Sequence, residues 1–235
     1  MLGRGHIGYR VHMSGSGHSE LDRLRFELLA IVVSLGGTDT LPVVLGGLPE
    51  TFPVPILLVQ HRSGPHHQDW LTMVLQRRID LPVRIAADGQ PLACPGVSVV
   101  PGGCTATINP VRRVRITESD PRTAGDTMLA SGAAVLGPAV IGVVLTGRLH
   151  DGAQGVRAIK DHGGRVLAQD PATARAPSMP ASAIATGCVD FVLPPQRIPA
   201  ALITLAMAPG RADLFHVPTP RRQPSARSNL RASPI

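Results

Sequence analysis

Three polar residues of the chain have the types that nucleophilic catalysis requires, and each follows an apolar run. Ser34 and His61 come directly after such runs, and Asp151 comes a few residues after a third. In catalysis of this kind a histidine takes the proton of a serine hydroxyl, and an aspartate holds the imidazole in the required tautomer. The three types therefore predict acyl transfer, with Ser34 as nucleophile, His61 as proton shuttle and Asp151 orienting His61. Taken singly, Ser34 and Asp151 also suit helix caps, and His61 suits a buried core position.

The elements that must position these residues follow from the hydrophobic pattern. Fully apolar runs alternate with helix-like stretches of about ten residues, which is typical of a parallel sheet covered on both faces by helices. The pattern predicts strands over 28–33, 55–60, 139–145, 165–169 and 190–193, and helices over 38–48, 68–78, 152–162, 178–186 and 196–207. Four short β-rich segments, 83–86, 97–100, 106–109 and 114–117, predict an antiparallel hairpin excursion. The expected fold class is α/β, a doubly wound and mostly parallel sheet with this excursion.

An open parallel sheet carries its active site beyond the carboxyl ends of its strands, which is where Ser34, His61 and Asp151 are expected to meet. Gly36 and Gly37 follow the serine in a tight strand-to-helix turn, so backbone N–H groups there can approach a substrate closely. The N-terminus of the next helix favours developing negative charge.

Composition and charge limit the domain organisation and the partners that the chain can have. The chain has 235 residues, 43% of them hydrophobic and 3% aromatic, and a net charge of +7. Residues 1–25 carry +2 and 209–235 carry +4, so 26–208 carries only +1. We predict a flexible leader over 1–25, one folded domain over 26–208 and a disordered Arg/Pro/Ser-rich tail over 209–235. A basic tail binds phosphates weakly, so we expect no specific nucleic acid as partner, although association through the Arg-rich ends stays open.

Cysteine and histidine usage gives no indication of disulfide or metal sites. Three cysteines without a C-x-x-C pair fit neither a disulfide framework nor structural zinc. His66, His67 and Asp69 follow His61, and His150 lies further along, but their spacing is not a recognised ligand pattern. We expect no cofactor and no metal. Without a secretory signal or an apolar run of about 18 residues, the chain is expected to be cytoplasmic, with reduced thiols and no membrane insertion.

The ordered set of motifs resembles the catalytic domain of the CheB-type chemoreceptor glutamate methylesterases, over residues 28–207. The matching segments are, in chain order, Ile31–Thr38 as S-x-G-G-T, Val59–His61, Asp88-Gly89, Val100–Gly102, Gly142–Gly147 with Asp151-Gly152 as L-T-G-x-x-x-D-G, Ala168–Asp170 and Ser178–Pro180. The resemblance implies a doubly wound α/β fold and a triad in the chain order serine, histidine, aspartate. We also expect oxyanion or substrate binding by Leu35, Gly36 and Arg148, and the resemblance implies this role for the backbone amide at the position of Arg148.

The activity that the resemblance implies is removal of methyl esters from glutamate side chains of a receptor-like protein in a chemotaxis or signal-transduction system, with glutamine deamidation as a related activity. We expect no receiver domain and no phosphorylation control within this polypeptide. A separate response regulator or kinase is therefore a candidate partner that would control the activity. The residues beside the nucleophile depart from the family pattern at Val32, Val33, Leu35, Arg148 and Leu149. These departures keep open the alternative of a catalytically weak or inactive CheB-like domain that acts as a binding or regulatory module.

Overall fold

The computed structural model of the protein describes residues 26–62, 70–120 and 122–207. The leader expected over 1–25 and the tail expected over 209–235 lie outside these ranges, as do His66, His67 and Asp69.

Seven strands of the described residues form one parallel sheet at the centre of the fold. They are β1 Leu28–Val33, β2 Ile56–Gln60, β3 Val83–Ile85, β4 Val97–Val99, β7 Val140–Val144, β8 Arg165–Gln169 and β9 Phe191–Leu193. Their order is β3-β4-β2-β1-β7-β8-β9, and every neighbouring pair is parallel. β5 Cys104–Ile108 and β6 Val114–Glu118 form a separate antiparallel hairpin. All six residues of β1 are fully buried, because strands flank it on both sides and further elements cover both its faces.

In the ranges that the structure describes, six α-helices cover the sheet in two layers. They are α1 Gly37–Leu45, α2 Trp70–Gln76, α3 Ala124–Leu136, α4 Ala153–Asp161, α5 Ser178–Ala185 and α6 Ile198–Met207. One core joins alternate residues of β1, such as Ile31, to α1, α2 and α6. The other joins the remaining β1 residues, such as Val32, to α3, α4, α5 and the hairpin. Successive residues of a strand point to opposite faces, so a fully apolar β1 is what a sheet covered on both sides requires.

The expected α/β class with its antiparallel hairpin is confirmed, and two details of the expectation are wrong. The segments at 83–86 and 97–100 do not belong to an antiparallel excursion, because β3 and β4 join the main sheet as parallel strands beside β2. Only β5 and β6 form the hairpin. Helix α3 was not expected from the pattern at all. The remaining elements begin and end within about three residues of their expected bounds, as is usual for element ends.

The strand order places a crevice at the carboxyl ends of β1 and β7. After β1 the chain passes through α1 to β2 on one side, and after β7 it passes through α4 to β8 on the other. The two connections lie on opposite faces of the sheet, so the loops that leave β1 and β7 diverge. Ligands bind at this kind of switch point in open α/β sheets.

Candidate active site

Ser34 and His61 are neighbours at the carboxyl edge of the sheet. Ser34 follows the last residue of β1 and His61 follows the last residue of β2, and the register pairs Val33 with Gln60. The backbone N–H of His61 donates to the Val33 carbonyl at 3.0 Å, which extends the pairing to the end of both strands. The two backbones are therefore about 4.8 Å apart, the spacing of adjacent strands.

Asp151 reaches the same edge from the loop that follows β7 and bonds directly to His61. The His61 Nε2–H donates to Asp151 Oδ2 at 2.6 Å, and the Asp151 side chain is only 1% exposed. A carboxylate only accepts, so this bond assigns the ring proton to Nε2 and leaves Nδ1 as the acceptor. Nδ1 is therefore the nitrogen free to take a proton from a serine. The ring uses its two nitrogens in the opposite order to the chymotrypsin-type triad.

Three backbone N–H groups hold the Asp151 carboxylate in addition to His61. Gly125 donates to Oδ2 at 2.8 Å, Asp126 donates to Oδ1 at 2.7 Å, and Gly152 donates to Oδ1 at 3.0 Å. Gly125 and Asp126 belong to the first turn of α3, where helix N–H groups have no partner within the helix. The carboxylate therefore accepts hydrogen bonds from two N–H groups at the start of α3 while it orients the imidazole.

The loop after β7 packs directly against Ser34. The Ser34 N–H donates to the Thr146 carbonyl at 2.9 Å, and a Cβ added at Gly147 would lie 2.8 Å from Ser34 Cβ. Ser34 itself is half-buried. Within the described ranges, no hydrogen bond joins the Ser34 hydroxyl to the His61 ring. Catalytic hydrogen bonds are often long in free enzymes and tighten when substrate binds, so this geometry is compatible with proton transfer.

The turn after Ser34 depends on Gly36 and on Thr146. Gly36 has φ +89°, and a Cβ there would lie 2.8 Å from Arg175 Cβ, so a side chain would be both strained and crowded. The Thr146 hydroxyl donates to the Leu35 carbonyl at 2.9 Å and accepts from the Ala176 N–H at 3.0 Å. These bonds tie the turn after β1 to the loop after β7.

The three residues expected to bind an oxyanion present free backbone donors at this edge. In the part of the chain that the structure describes, the N–H groups of Leu35, Gly36 and Arg148 donate to no protein group. Leu35 and Gly36 precede α1, whose N-terminus favours negative charge. Arg148 follows Gly147, the residue that packs on Ser34. Backbone N–H groups without a protein partner are available to donate to the developing negative charge of a tetrahedral intermediate.

The structure adds four residues that sequence reasoning did not place in the site: Gly125, Asp126, Thr146 and Gln169. Gly125 and Asp126 hold Asp151, and the fully buried Gln169 accepts the Thr146 N–H through its Oε1 at 2.9 Å. The pattern Thr-x-x-Asp at 123–126 is a signal for a helix start and would have indicated α3. Thr146 and Gln169 lie in segments that carry the family resemblance, but their residue types alone do not indicate a role.

Two carboxyl groups near the site have shifted pKa values. Burial raises the pKa of Asp126, the charge of Asp151 raises it further, and the Gly155 N–H that bonds to it at 2.7 Å acts in the opposite direction. The Arg122 side chain, 2.7 Å from the Asp120 carboxylate, and the Arg122 N–H lower the pKa of Asp120 to about 2. The charge that His61 carries when it is protonated contributes a smaller lowering of the pKa of Asp120.

The described residues form neither a metal site nor an activated cysteine nucleophile at this edge. Among the described residues, no three His, Cys, Asp or Glu side chains form a group that could hold a metal ion. Burial and the charge of Glu118 raise the pKa of the Cys104 thiol, which disfavours the nucleophilic thiolate. A cavity of about 600 Å³ lies at the opposite, amino edge of the sheet, between residues such as Phe26, Pro55 and Met207.

The described helices include none whose length and apolar character would let it cross a membrane.

The fold and the site define an α/β domain of the hydrolase class, with a histidine–aspartate pair beside a serine in a glycine-rich turn. The sequence model described as CheB methylesterase matches residues 29–202. The chain therefore belongs to the CheB methylesterase family of carboxylic ester hydrolases.

Individual relatives agree with this membership. Over 185 residues the chain is 39% identical to protein-glutamate methylesterase/protein-glutamine glutaminase 2 of Anaeromyxobacter dehalogenans (strain 2CP-C), covering 76% of this chain and 53% of that protein. It is 35% identical to protein-glutamate methylesterase FrzG of Myxococcus xanthus, covering 76% and 54%. The chain thus spans about half the length of these relatives. The crystal structure of the Thermotoga maritima CheB methylesterase catalytic domain superposes with a TM-score of 0.70 at 32% identity, covering 77% of this chain and 98% of that one.

Proposed function

We propose that this domain hydrolyses methyl esters of glutamate side chains on a receptor-like protein and releases methanol, with deamidation of glutamine side chains as a related activity. The observation that carries the proposal is the 2.6 Å bond between His61 Nε2 and Asp151 Oδ2, which leaves Nδ1 as a base at the edge where Ser34 lies. The names of the relatives, protein-glutamate methylesterase and protein-glutamine glutaminase, support this substrate class.

In the proposed reaction Ser34 Oγ attacks the ester carbonyl while His61 Nδ1 takes the hydroxyl proton. The N–H groups of Leu35, Gly36 and Arg148 stabilise the oxyanion of the tetrahedral intermediate. The C–OCH₃ bond then breaks, and His61 returns the proton to the departing methoxide to form methanol. Water adds to the acyl-serine in the same way, which releases the glutamate carboxylate and restores the Ser34 hydroxyl. Asp151 stabilises the imidazolium in both halves of the reaction.

The substitution Ser34→Ala tests the proposal. Without the nucleophile, methanol release from a methylated receptor fragment is expected to fall by about 10⁴-fold, the loss typical of a triad serine. Gas chromatography of the released methanol measures the effect. Ser119→Ala serves as the matched control, because the Ser119 hydroxyl has no hydrogen-bond partner among the described residues. Unchanged methanol release by Ser34→Ala would overturn the assignment.

The proposed partners follow from this activity. The substrate is a methylated receptor-like protein, and a separate response regulator or kinase is the proposed source of control. Cys94, Cys104 and Cys188 are all free thiols, which supports the proposed cytoplasmic location, where thiols stay reduced. The proposal includes neither a specific nucleic acid nor membrane insertion.

A second candidate function is a CheB-like binding or regulatory module with weak or no catalysis. The observation in its favour is the absence, within the described residues, of a hydrogen bond between the Ser34 hydroxyl and His61. A fluorophosphonate label separates the two candidates, because only an activated serine reacts with it. The esterase proposal expects labelling of the unmodified protein and none of Ser34→Ala. Equal lack of labelling in both proteins would favour the binding module.

A further inference from the structure

Arg148 carries an exposed positive charge and follows directly the residue that packs against the candidate nucleophile. The preceding residue, Gly147, lies so close to Ser34 that an added Cβ would be 2.8 Å from Ser34 Cβ. The same Cβ would lie 2.1 Å from Met179 Sδ, so the backbone at Gly147 packs closely between the nucleophile and α5. The side chain of Arg148 is exposed at the rim that this backbone forms.

The turn that presents Arg148 is fixed on both sides by hydrogen bonds. The Gly147 N–H donates to the Ala176 carbonyl at 2.9 Å, and the Met179 N–H donates to the Gly147 carbonyl at 3.0 Å. Leu149 adopts φ +68°, a left-handed conformation that is uncommon for residues other than glycine. The guanidinium is therefore carried on a defined turn, and only its own side-chain rotamers need to be ordered on binding.

Two other arginines near this edge each have an acidic partner, and Arg148 has none among the described residues. Arg175 lies 3.6 Å from Asp39, and Arg122 lies 2.7 Å from Asp120. No ion pair involves Arg148 anywhere in the described ranges. Its charge is consequently available to an anionic group that arrives with the substrate.

Two exposed leucines lie next to Ser34 and Arg148 in the chain. Leu35, which follows Ser34, is 39% exposed, and Leu149, which follows Arg148, is 55% exposed. A substrate segment that fits this rim offers an apolar surface together with an anion, which is the character of an amphipathic helix with acidic residues. On such a helix, residues three or four positions apart have Cβ atoms about 5–6 Å from each other. A carboxylate one turn from the ester is thus within reach of an arginine that neighbours the nucleophile.

We propose that Arg148 forms a carboxylate-binding subsite that selects glutamate esters with an acidic side chain one helical turn away. The inference rests on the proposed esterase function and names its substrate preference. A guanidinium binds a carboxylate through charge-assisted, often bidentate hydrogen bonds. Because the pair forms at an exposed rim, its contribution is modest. The kcat/KM for an ester with the neighbouring carboxylate is about threefold to fivefold higher than for one without it, and the difference lies in KM.

Two synthetic helical peptides test the subsite. Each contains one glutamate methyl ester, and the residue four positions later is Glu in one peptide and Gln in the other. The unmodified protein is expected to release methanol from the Glu peptide with the higher kcat/KM, and added salt is expected to reduce the ratio. Arg148→Met removes the preference, and Arg148→Glu reverses it. The ratio within each variant is the readout, so a change in overall activity does not affect it.

Arg77→Met is the matched control, since it removes an exposed arginine that follows α2 and lies away from the carboxyl edge. It is expected to keep the preference of the unmodified protein. Equal kcat/KM for the two peptides in the unmodified protein, or a preference that persists in Arg148→Met, would overturn the subsite alone. Failure of the unmodified protein to release methanol from either peptide would instead contradict the proposed function, and the subsite with it.

Discussion

Asp151 accepts four hydrogen bonds, and three of them come from the backbone rather than from His61. The carboxylate is therefore oriented before the imidazole bonds to it, and a buried charge with several N–H donors is well satisfied. The ring orientation follows from this arrangement, because Oδ2 is presented to Nε2. The proposed base, Nδ1, thus owes its position to the start of α3 as much as to the strand that carries His61.

Asp126 links this arrangement to a second helix. Its N–H donates to Asp151, while its own carboxylate accepts the Gly155 N–H at 2.7 Å, so one residue joins α3, α4 and the buried aspartate. Burial and the charge of Asp151 raise the pKa of Asp126 above its ordinary value. The native state therefore keeps a proton on Asp126 at pH values where the unfolded chain, with a carboxyl pKa near 3.9, has lost it.

The sign of the pH dependence follows from this difference. Where the native state binds more protons than the unfolded state, the free energy of unfolding decreases as pH rises. We predict that Asp126→Asn, which keeps an oxygen acceptor for Gly155 and carries no charge, loses this dependence. The stability of the variant relative to the unmodified protein should thus increase as pH rises from about 4 through the raised pKa of Asp126.

Urea unfolding of both proteins from pH 4 to pH 7 measures this difference. Asp161→Asn, at the far end of α4 and exposed, controls for the loss of one negative charge. A difference in unfolding free energy that stays constant over the range would contradict the raised pKa of Asp126.

At the scale of elements, the sequence predicted the strands that have a strong apolar pattern. It missed the parallel pairing of β3 and β4, which depends on the tertiary structure. β1 was recognisable because six consecutive apolar residues suit a strand buried on both faces. β3 and β4 have only three residues each, and their parallel pairing depends on the free edge of β2, which no local pattern reveals. Their antiparallel assignment was wrong for that reason.

Helix α3 was missed because small residues weaken its hydrophobic contrast. Met128, Leu129 and Leu136 lie on its buried face, but so do Ala124, Gly125, Gly132 and Ala133. Small residues are needed there because α3 lies very close to β1. A Cβ added at Gly125 would be 2.4 Å from Val32 Cγ1 and 2.7 Å from Asp151 Oδ2.

This close approach predicts a loss of activity in Gly125→Ala. The added methyl group has no space between Val32 and Asp151, so the start of α3 must move away and its N–H groups must leave the carboxylate. Methanol release is expected to fall by about 10-fold or more, because losing fixed hydrogen bonds to a charged group costs at least 1.5 kcal/mol. Assay of methanol release together with thermal unfolding distinguishes loss of orientation from loss of fold.

Gly132→Ala is the matched control on the same helix. There the added Cβ would meet only the flexible end of Leu28 at 3.0 Å, with the next atom at 3.8 Å. Alanine is favoured over glycine within helices by about 1 kcal/mol, so this variant should retain activity and lose little or no stability. Equal activity of Gly125→Ala and Gly132→Ala would show that the contact between α3 and Asp151 is not required.

At the scale of the whole molecule, the topology accounts for how residues distant in sequence meet. His61 and Asp151 are 90 positions apart, yet β1 separates their strands and all three carboxyl ends lie at one edge. The general rule for parallel sheets was enough to predict that Ser34, His61 and Asp151 lie together. It did not predict which imidazole nitrogen faces Asp151, since that depends on α3 and on the loop after β7.

The charge distribution of the whole chain gives a last prediction. Residues 209–235 hold five arginines and one aspartate, or +4 of the total +7, whereas 26–208 carries only +1. Each phosphate that an arginine neutralises adds about 0.9 to the dependence of binding on salt concentration. Deletion of 209–235 is therefore expected to weaken binding to duplex DNA. It should also reduce the slope of the logarithm of the binding constant against the logarithm of salt concentration by up to roughly 4, as measured by titrations at several salt concentrations. The same deletion should leave methanol release intact, because the family match ends at residue 202. An unchanged salt dependence would contradict a role for the tail and would place the DNA affinity within residues 1–208, which include the basic segment 1–25.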